Sequence, residues 1–291
     1  MKAELECAVC LLERGRREIL KATKDQVLRA RAMKRILRIV SNKFGPEAVP
    51  AYIGTLRDRA IKQLTGSDPY KGERHQSNQI ALKLLPRAES IIERSKTGYE
   101  RFKRACMIAI AGNIIEFDVL GHDFNFEELD KIVFEMRLAI DHTRQIYELT
   151  KKAKQILFLL DNAGEIAFDT LLVKELQNLG SKVTVAVKDA PILNDATMND
   201  AKEVGMHRIA NELMTIGTDS IGLIIKDTSQ QFRKKLSQAD LLIAKGMAHY
   251  ETITELKLKM PVAYLFRAKC YPVAHSVGVA RDSNVALLKK P

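Results

Sequence analysis

The sequence predicts an α/β protein in which a helical N-terminal domain, residues 1–150, packs on a three-layer α/β/α sandwich, residues 151–291, with a largely parallel sheet. Up to about residue 150, apolar residues recur at intervals of three and four, which is the period of a helix. After about residue 153, short apolar runs alternate with helical segments. The length of 291 residues and the 46% hydrophobic content suit about two domains.

Residues 1–150 show helical spacing in several stretches that are separated by turn residues. Gly45-Pro46 and Gly66-Ser67-Asp68-Pro69 are typical of such breaks. No apolar run of strand length with alternation occurs among these 150 residues, so we expect helices only. The apolar residues that carry the period are Val27, Leu28, Ile36, Leu37, Ile39, Val40, Ile80, Leu84, Leu85, Ile91, Ile92, Leu129, Ile132, Val133, Met136 and Ile140.

The second half predicts five strands. A helix from about Glu165 to Leu179, ending at Gly180, separates the first two strands. Because strands alternate with helices, we expect parallel pairing and helices on both faces of the sheet. The predicted strands are Gln155–Leu160, Lys182–Val187, Ile221–Ile225, Leu241–Ala244 and Val262–Phe266.

Several classes of protein do not fit the composition. The first ten residues contain no long apolar segment of the secretory type. The most apolar stretch, Cys106–Leu120, is interrupted by Asn113, Glu116 and Asp118 and is too short to span a bilayer. Four cysteines are too few for a disulfide scaffold. We therefore expect a cytoplasmic protein without a membrane partner.

The net charge is +11, and a surplus of nine lies within residues 1–100. A surplus of this size suits nucleic acid, a membrane surface or a phosphorylated small molecule. The densest basic run lies beside an apolar helix face and has no interleaved aromatic residues, which is typical of a solvated surface. We therefore do not expect a nucleic-acid partner. This run consists of Arg29, Arg31, Lys34, Arg35 and Arg38.

Polar residues follow the predicted strands. Asp161 and Asn162 follow the first strand, and Asp195 lies in the segment after the second. Lys245 and Lys269 follow the fourth and fifth. In open α/β sheets, ligands bind beyond the carboxyl ends of the strands. Carboxylate and amide oxygens suit a divalent metal, and Lys side chains suit phosphate. Asp and Asn also cap helices, so spacing alone leaves both interpretations open.

The turn after Asn162 opens a helix whose free N–H groups would suit an anion. No P-loop, no G-x-G-x-x-G after the first strand and no G-x-S-x-G motif is present. Asp161 is followed by Asn-Ala-Gly-Glu, which differs from the D-x-D-x-T pattern of the aspartyl-phosphate phosphatases. The common nucleotide-binding and hydrolase motifs therefore do not explain the site.

Three segments resemble the signature motifs of the damage-control phosphatases: Asp161-Asn162-Ala163-Gly164-Glu165, Pro191–Thr197 and Lys245–Glu251. The resemblance extends from Cys7 almost to the C-terminus. The motif Cys7-x-x-Cys10 resembles one found in the first, largely prokaryotic subfamily of the damage-control phosphatases. His249 stands where Asn is usual in the family, and Glu116 where Asp is usual. Further matching segments are Asp68–Lys71, Ala111–Ile115 and Arg267–Cys270.

The resemblance implies a helical domain on an α/β/α sandwich and hydrolysis of phosphate monoesters with Mn, Ni, Co or Mg. It implies small phosphorylated metabolites as substrates, such as damaged purine nucleotides, their precursors or sugar phosphates. By position, Asp161, Asn162 and Asp195 would be the metal ligands and the catalytic residues. The residues implied to bind substrate are Lys245, Gly246, His249, Lys269 and Asn113.

Two other functions stay open at this stage. One is a small-molecule transferase of the carboxyl methyltransferase type that uses the same sheet edge, although Ala163-Gly164 is a poor cofactor loop. The other is a non-enzymatic nucleotide- or RNA-binding protein. Cys7 and Cys10 form half of a zinc site at most, which Cys270 could join only if the two termini meet. The sequence leaves the substrate, the metal, the attacking group and the oligomeric state open.

Overall fold

The computed structural model describes residues 1–118 and 133–291, with the backbone alone for residues 113–118. The helices with described bounds in residues 1–118 are α1 (Leu5–Ala22), α2 (Gln26–Lys43), α3 (Pro50–Thr65), α4 (Lys71–Glu93) and α5 (Gly98–Asp118). Asp25 caps α2, because its side chain accepts hydrogen bonds from the amides of Val27 and Leu28. Gly66, at φ +63°, ends α3 in the left-handed region.

The first three helices share a small core of their own. Ala32, Ile36 and Val40 recur at intervals of four along α2 and are buried against Leu11 and Ile61. Of the residues that carry the helical spacing in the sequence, Ile36 and Val40 lie on the buried face of α2, whereas Val27 and Leu37 are exposed.

Seven strands form one sheet in the order β1-β7-β6-β5-β2-β3-β4. All neighbouring pairs are parallel except β6 with β7. The strands are β1 (Leu138–Asp141), β2 (Gln155–Leu159), β3 (Lys182–Val187), β4 (Glu212–Thr215), β5 (Leu241–Lys245), β6 (Val262–Arg267) and β7 (Asn284–Lys289). The helices among them are α6 (Thr143–Thr150), α7 (Glu165–Asn178), α8 (Met198–Glu203), α9 (Met206–Ile209), α10 (Gln230–Gln238), α11 (Met247–Ile253) and α12 (Tyr271–Val277).

Alternate residues of each central strand enter two different cores. Ile156 and Phe158 of β2 pack with α4, α5 and α7, whereas Leu157 and Leu159 pack with α10, α11 and α12. Successive side chains of a strand point to opposite faces, so the sheet has a helical layer on each side. The predicted α/β/α fold with a largely parallel sheet is confirmed. The division into domains at residue 150 stays a prediction; α4 and α5 share a core with the sheet.

The predicted strand at Ile221–Ile225 is wrong. The amides of Ile221 and Leu223 donate to the hydroxyls of Thr55 and Thr252 instead of to a neighbouring strand. Between them, Gly222 has φ +65° and lies against the backbone of Ala248, where a side chain has no room. The strand beside β3 is the more polar β4. The sequence also missed β1 and β7; β1 corrects the expectation of helices alone before residue 150.

Candidate active site

The loops after β2 and β3 are joined by backbone hydrogen bonds. The amide of Ala163 donates to the Asn194 carbonyl (2.9 Å), and the amide of Ala196 donates to the Asp161 carbonyl (2.8 Å). Asn162 and Asp195 form an isolated antiparallel bridge. The three residues predicted as metal ligands, Asp161, Asn162 and Asp195, are therefore brought together at one edge of the sheet, and all three are buried.

A buried amide from α4 holds the same two loops. Asn78 accepts a hydrogen bond from the amide of Gly164 (2.7 Å) and donates to the Asp200 carboxylate (3.3 Å). Asp200 in turn closes a capping box with Thr197 at the start of α8. The amides of Ala163 and Gly164, which precede the first residue of α7, already have acceptors, and the contact of an anion with the start of this helix stays a prediction.

The two carboxylates lie in an unfavourable electrostatic setting. Burial, followed by the charges of Glu165 and Asp195, raises the pKa of Asp161 well above its ordinary value. Burial also raises the pKa of Asp195 to about 6, against the opposing charge of Lys188. Lys188 Nζ lies 3.5 Å from Asp195 Oδ2, and no described residue donates a hydrogen bond to that oxygen. A divalent cation would offset the repulsion and bind this oxygen, which accepts no hydrogen bond from a described residue.

Asn162 completes an oxygen-donor set. Its Nδ2 donates to Asp161 Oδ2 (3.2 Å) and to Glu165 Oε2 (3.2 Å), which leaves the amide oxygen for a metal. Two carboxylates and one amide oxygen fit a hard divalent cation. In the part of the chain that the structure describes, no three His, Cys, Asp and Glu side chains form a metal-binding group by themselves.

Gly246 is required by its closeness to Asp161. The residue has φ +78°, and a Cβ built on it would lie 1.9 Å from Asp161 Oδ2. Only glycine allows the loop after β5 to approach the carboxylate this closely without a backbone shift. Its predicted contact with substrate stays a prediction, and Gly246 does line the adjoining cleft.

The side chain of Lys245 does not line the cleft, although the residue ends β5. Its side chain is fully buried, and Nζ donates to Asp169 Oδ1 (2.7 Å), to the Ala109 carbonyl (2.7 Å) and to Glu165. Burial alone would lower its pKa, but the charges of Asp169 and Glu165 raise the pKa above the ordinary value. The structure corrects the predicted contact with substrate phosphate, because all three N–H donors of the ammonium are engaged between the sheet, α5 and α7.

The other predicted substrate residues have different surroundings. Lys269 lines the cleft. His249 is buried outside the cleft lining, and its Nδ1 lies 2.7 Å from the Lys245 carbonyl. Burial lowers the pKa of His249 to about 3, so the ring is neutral. The side chain of Asn113 lies outside the described residues, so its role stays a prediction.

A cleft of about 380 Å³ separates the sheet edge from α1 and α3. Volumes in this range accept small-molecule ligands. Asp161, Asn162, Asp195, Gly246 and Lys269 line its sheet side. The opposite wall includes Cys7, Cys10, Leu11 and Arg14 of α1, and Arg267, Cys270 and Arg281 contribute from the C-terminal part.

The two chain termini do meet, since Cys7, Cys10 and Cys270 line this one cleft. All three are free thiols. Burial raises the pKa of Cys7, and it raises the pKa of Cys270 to about 11. These two thiols are therefore protonated at neutral pH, whereas zinc binds the thiolate form.

The basic run of the N-terminal helices lies elsewhere. Arg31, Lys34, Arg35 and Arg38 line a separate shallow groove with residues of α3. Their spacing places them on one exposed face of α2, opposite its buried face. Among the described residues, no helix is long and apolar enough to cross a membrane.

The sheet edge thus presents a candidate divalent-metal site beside a ligand-sized cleft with several cations, which is the arrangement of a metal-dependent phosphatase on an α/β/α fold. Residues 3–285 match the model of the damage-control phosphatase ARMT1-like domain. The chain therefore belongs to the damage-control phosphatase family, as its signature motifs indicated.

Full-length relatives agree with this assignment. A damage-control phosphatase of Archaeoglobus fulgidus is 37% identical over 98% of this chain and 99% of its own length. A damage-control phosphatase of Pyrococcus horikoshii is 32% identical over 100% and 99%. The crystal structure of a DUF89 family protein from P. horikoshii superposes with a TM-score of 0.89, at 30% identity and complete coverage of both chains.

Family membership identifies the chain as a phosphatase that acts on small phosphorylated metabolites, in a family that is generally metal-dependent. It does not favour the transferase and nucleotide- or RNA-binding alternatives. The signals that would have placed Arg14 in the cleft lining and the Lys245 side chain in the interior are helical spacings: Arg14 falls at i+7 from Cys7, and Glu165 and Asp169 are one turn apart on α7.

Proposed function

We propose that the protein hydrolyses phosphate monoesters of small metabolites at the sheet edge, with a divalent metal held by Asp161, Asn162 and Asp195. The observation that carries this assignment is the junction of the β2 and β3 loops, which buries two carboxylates and one amide together. Asp195 Oδ2, which is buried and accepts no hydrogen bond from the described part of the chain, supports it further. Damaged purine nucleotides, their precursors and sugar phosphates are the proposed substrate classes.

The donor set bears on the choice of metal. Oxygen ligands alone favour Mg or Mn, whereas Ni and Co also accept nitrogen and sulfur ligands readily. Among the four metals that family resemblance implies, we therefore propose Mg or Mn as the physiological one. When bound, such an ion supplies positive charge that polarises the phosphoryl group and lowers the pKa of water.

The chain's own lysines would position the Asp195 carboxylate and neutralise the charge of the substrate phosphate. Lys188 lies behind Asp195 and donates to the Gly222 carbonyl (2.7 Å), which fixes the ammonium beside the carboxylate. Lys269 reaches the cleft from the end of β6 and is assigned to substrate phosphate. Phosphoryl transfer depends mainly on such positioning and charge neutralisation.

We assign the attack on phosphorus to water rather than to Asp161. The Asp161 carboxylate is buried, accepts a hydrogen bond from Asn162 and is already assigned to metal ligation. A carboxylate engaged in this way is a poor nucleophile. The cytoplasm is the proposed site of action, because the four free thiols suit a reducing compartment.

The test is release of inorganic phosphate from a panel of nucleotide and sugar phosphates, with Mg, Mn, Ni or Co and with chelator. We expect activity that chelator abolishes and that Asp161→Asn lowers at least roughly a hundredfold. Asp189→Asn is the matched control, since Asp189 is exposed in the same β3 loop and accepts from Thr215 Oγ1 (2.6 Å). Calorimetric titration of the chelator-treated protein should show metal binding that Asp161→Asn loses.

Two results would contradict the assignment. Full activity in the presence of chelator would remove the metal from the reaction. Unchanged metal affinity in Asp161→Asn would remove Asp161 from the site, whatever the activity of the variant.

A further inference from the structure

We propose that Arg14 of α1 binds the phosphate group of the substrate from the wall of the cleft that faces the metal site. This inference rests on the proposed phosphatase function. It adds a substrate-binding residue from the helical part of the chain, far in sequence from the strand-end motifs.

One face of α1 forms that wall. Cys7, Cys10, Leu11 and Arg14 all line the cleft, and they stand at positions i, i+3, i+4 and i+7 of the helix. Arg14 is exposed, and it lies about 10 Å along the helix axis from Cys7. Its side chain therefore lines the cleft at the C-terminal end of this stripe of four residues.

Arg14 shares the cleft with one of the proposed metal ligands. Asp195 and Glu251 both line the same cleft as Arg14. A phosphate bound next to Asp195 would lie in the cleft that the guanidinium lines.

Most other cations around the cleft are already engaged. Arg57 is buried and donates to Asp58 (2.6 Å) and to the Leu11 carbonyl (3.1 Å). Arg267 and Arg281 both lie beside Asp282, at 3.7 and 3.1 Å. Within the described residues, by contrast, Arg14 forms neither a hydrogen bond nor an ion pair, so binding a phosphate breaks no existing contact.

The chemistry of the side chain suits this role. A guanidinium presents parallel N–H donors that match two oxygens of a phosphate, and it keeps its charge at all working pH values. Because Lys245 is fully engaged in the interior, Arg14 and Lys269 would supply the charge neutralisation that was expected of Lys245. A substrate held by both would bridge the two walls of the cleft.

The experiment compares Arg14→Ala and Arg14→Lys with Arg16→Ala. Arg16 lies on the opposite face of α1, is exposed and pairs with Glu13 (2.8 Å), so it is a matched control. The measurements are KM and kcat for the best phosphate ester of the panel, the inhibition constant of inorganic phosphate, and the calorimetric Kd of phosphate for the metal-loaded protein.

We expect Arg14→Ala to raise KM and both phosphate constants by roughly 10- to 100-fold, with a smaller rise in Arg14→Lys. Added guanidinium ion should restore part of the loss in Arg14→Ala but not alter Arg16→Ala. Metal affinity should match that of the wild-type protein, since Arg14 is not a metal ligand.

Wild-type phosphate constants in Arg14→Ala would overturn the inference, as would a loss of metal affinity equal to that of Asp161→Asn. Failure of the proposed function looks different: the wild-type protein itself would release no phosphate with any metal. The calorimetric Kd of phosphate would still test Arg14 in that case.

Discussion

The two ends of α7 carry ion pairs of the same length in opposite surroundings. At the N-terminal end, Lys245 Nζ lies 2.7 Å from Asp169 Oδ1, and both side chains are 0% exposed. Nearer the C-terminal end, Lys174 Nζ lies 2.7 Å from Glu89 Oε1, and both are 43% exposed. Distance does not distinguish the pairs. Burial does, because a charge removed from water depends on its partner far more than a solvated charge does.

The buried pair also has a link to the candidate metal site that the exposed pair lacks. Glu165 contacts Lys245 with one carboxylate oxygen and accepts from Asn162 Nδ2 with the other (3.2 Å). Through Glu165, the interior ammonium thus supports the amide of Asn162, which belongs to the proposed set of metal ligands. Lys245, which the strand-end pattern assigned to substrate, instead binds Glu165 and Asp169 beneath the candidate site.

The largest expected effect is therefore on stability. Lys245→Met leaves Glu165 and Asp169 without their cation and should lower the free energy of unfolding by about 3–5 kcal/mol. Lys174→Met, the matched exposed change, should cost less than about 1 kcal/mol. Urea unfolding of both variants at pH 7 measures the difference. Equal losses in the two variants would show that burial does not separate the pairs.

A triple variant keeps the prediction testable if the Lys245→Met protein does not fold. Replacing Glu165 and Asp169 by Gln and Asn in the Lys245→Met background removes the unpaired charges and should recover much of the loss. No recovery would mean that the side-chain shape of Lys245, rather than its charge, matters at this position.

The contrast also explains what the sequence could predict. Strand-helix alternation places residues at a sheet edge, and Asp161, Asn162 and Asp195 do meet there because the order of the parallel strands puts β2 beside β3. Alternation does not say whether a long side chain at a strand end turns toward the cleft or back into a helical layer. For Lys245, the signal lay elsewhere, in two carboxylates one turn apart on α7.

Contacts between distant segments account for the other differences. The apolar run at Ile221–Ile225 reads as a strand, but the hydroxyls of Thr55 and Thr252, from two other helices, bind its amides. The meeting of Cys7 and Cys270 likewise depends on packing between α1 and α12. Neither contact has a local signature, because no short-range period encodes it.

An effect of intermediate size on the free energy of unfolding is expected from the buried His249. Burial, followed by the charge of Lys188, lowers its pKa to about 3, so below pH 6.5 the unfolded chain binds a proton that the folded chain does not. Stability from this group is complete above pH 6.5 and is lost as the pH falls. At pH 5 the loss is about 2 kcal/mol relative to pH 7.

The measurement is urea unfolding of the wild-type protein and His249→Asn at pH 7 and pH 5, with chelator in both buffers. Carboxyls with raised pKa values, such as Asp195, change stability in the opposite direction, but both proteins contain them. The wild-type protein should therefore lose about 2 kcal/mol more than the variant between the two pH values. Parallel losses would show that His249 is protonated in the folded protein.

The smallest effect is expected on the exposed face of α2. Replacing Arg31, Lys34, Arg35 and Arg38 by Gln should change the free energy of unfolding by no more than about 0.5 kcal/mol per site and leave kcat unchanged. These side chains line a groove separate from the cleft. At about 0.15 M salt, the Debye length of about 8 Å screens exposed charges from more distant sites.

A fall in kcat/KM that occurs only at low ionic strength would mean that this face steers anionic substrate toward the cleft. A fall in kcat/KM that persists at high salt would mean that the exposed face of α2 belongs to the active site, contrary to its separation from the cleft. Replacing four cations of α2 changes the net charge of +11 more than any single substitution in the cleft does. Comparing the two kinds of variant therefore separates the effect of net charge from the effect of position. We expect activity to follow the few charges that line the cleft and not the net charge of the chain.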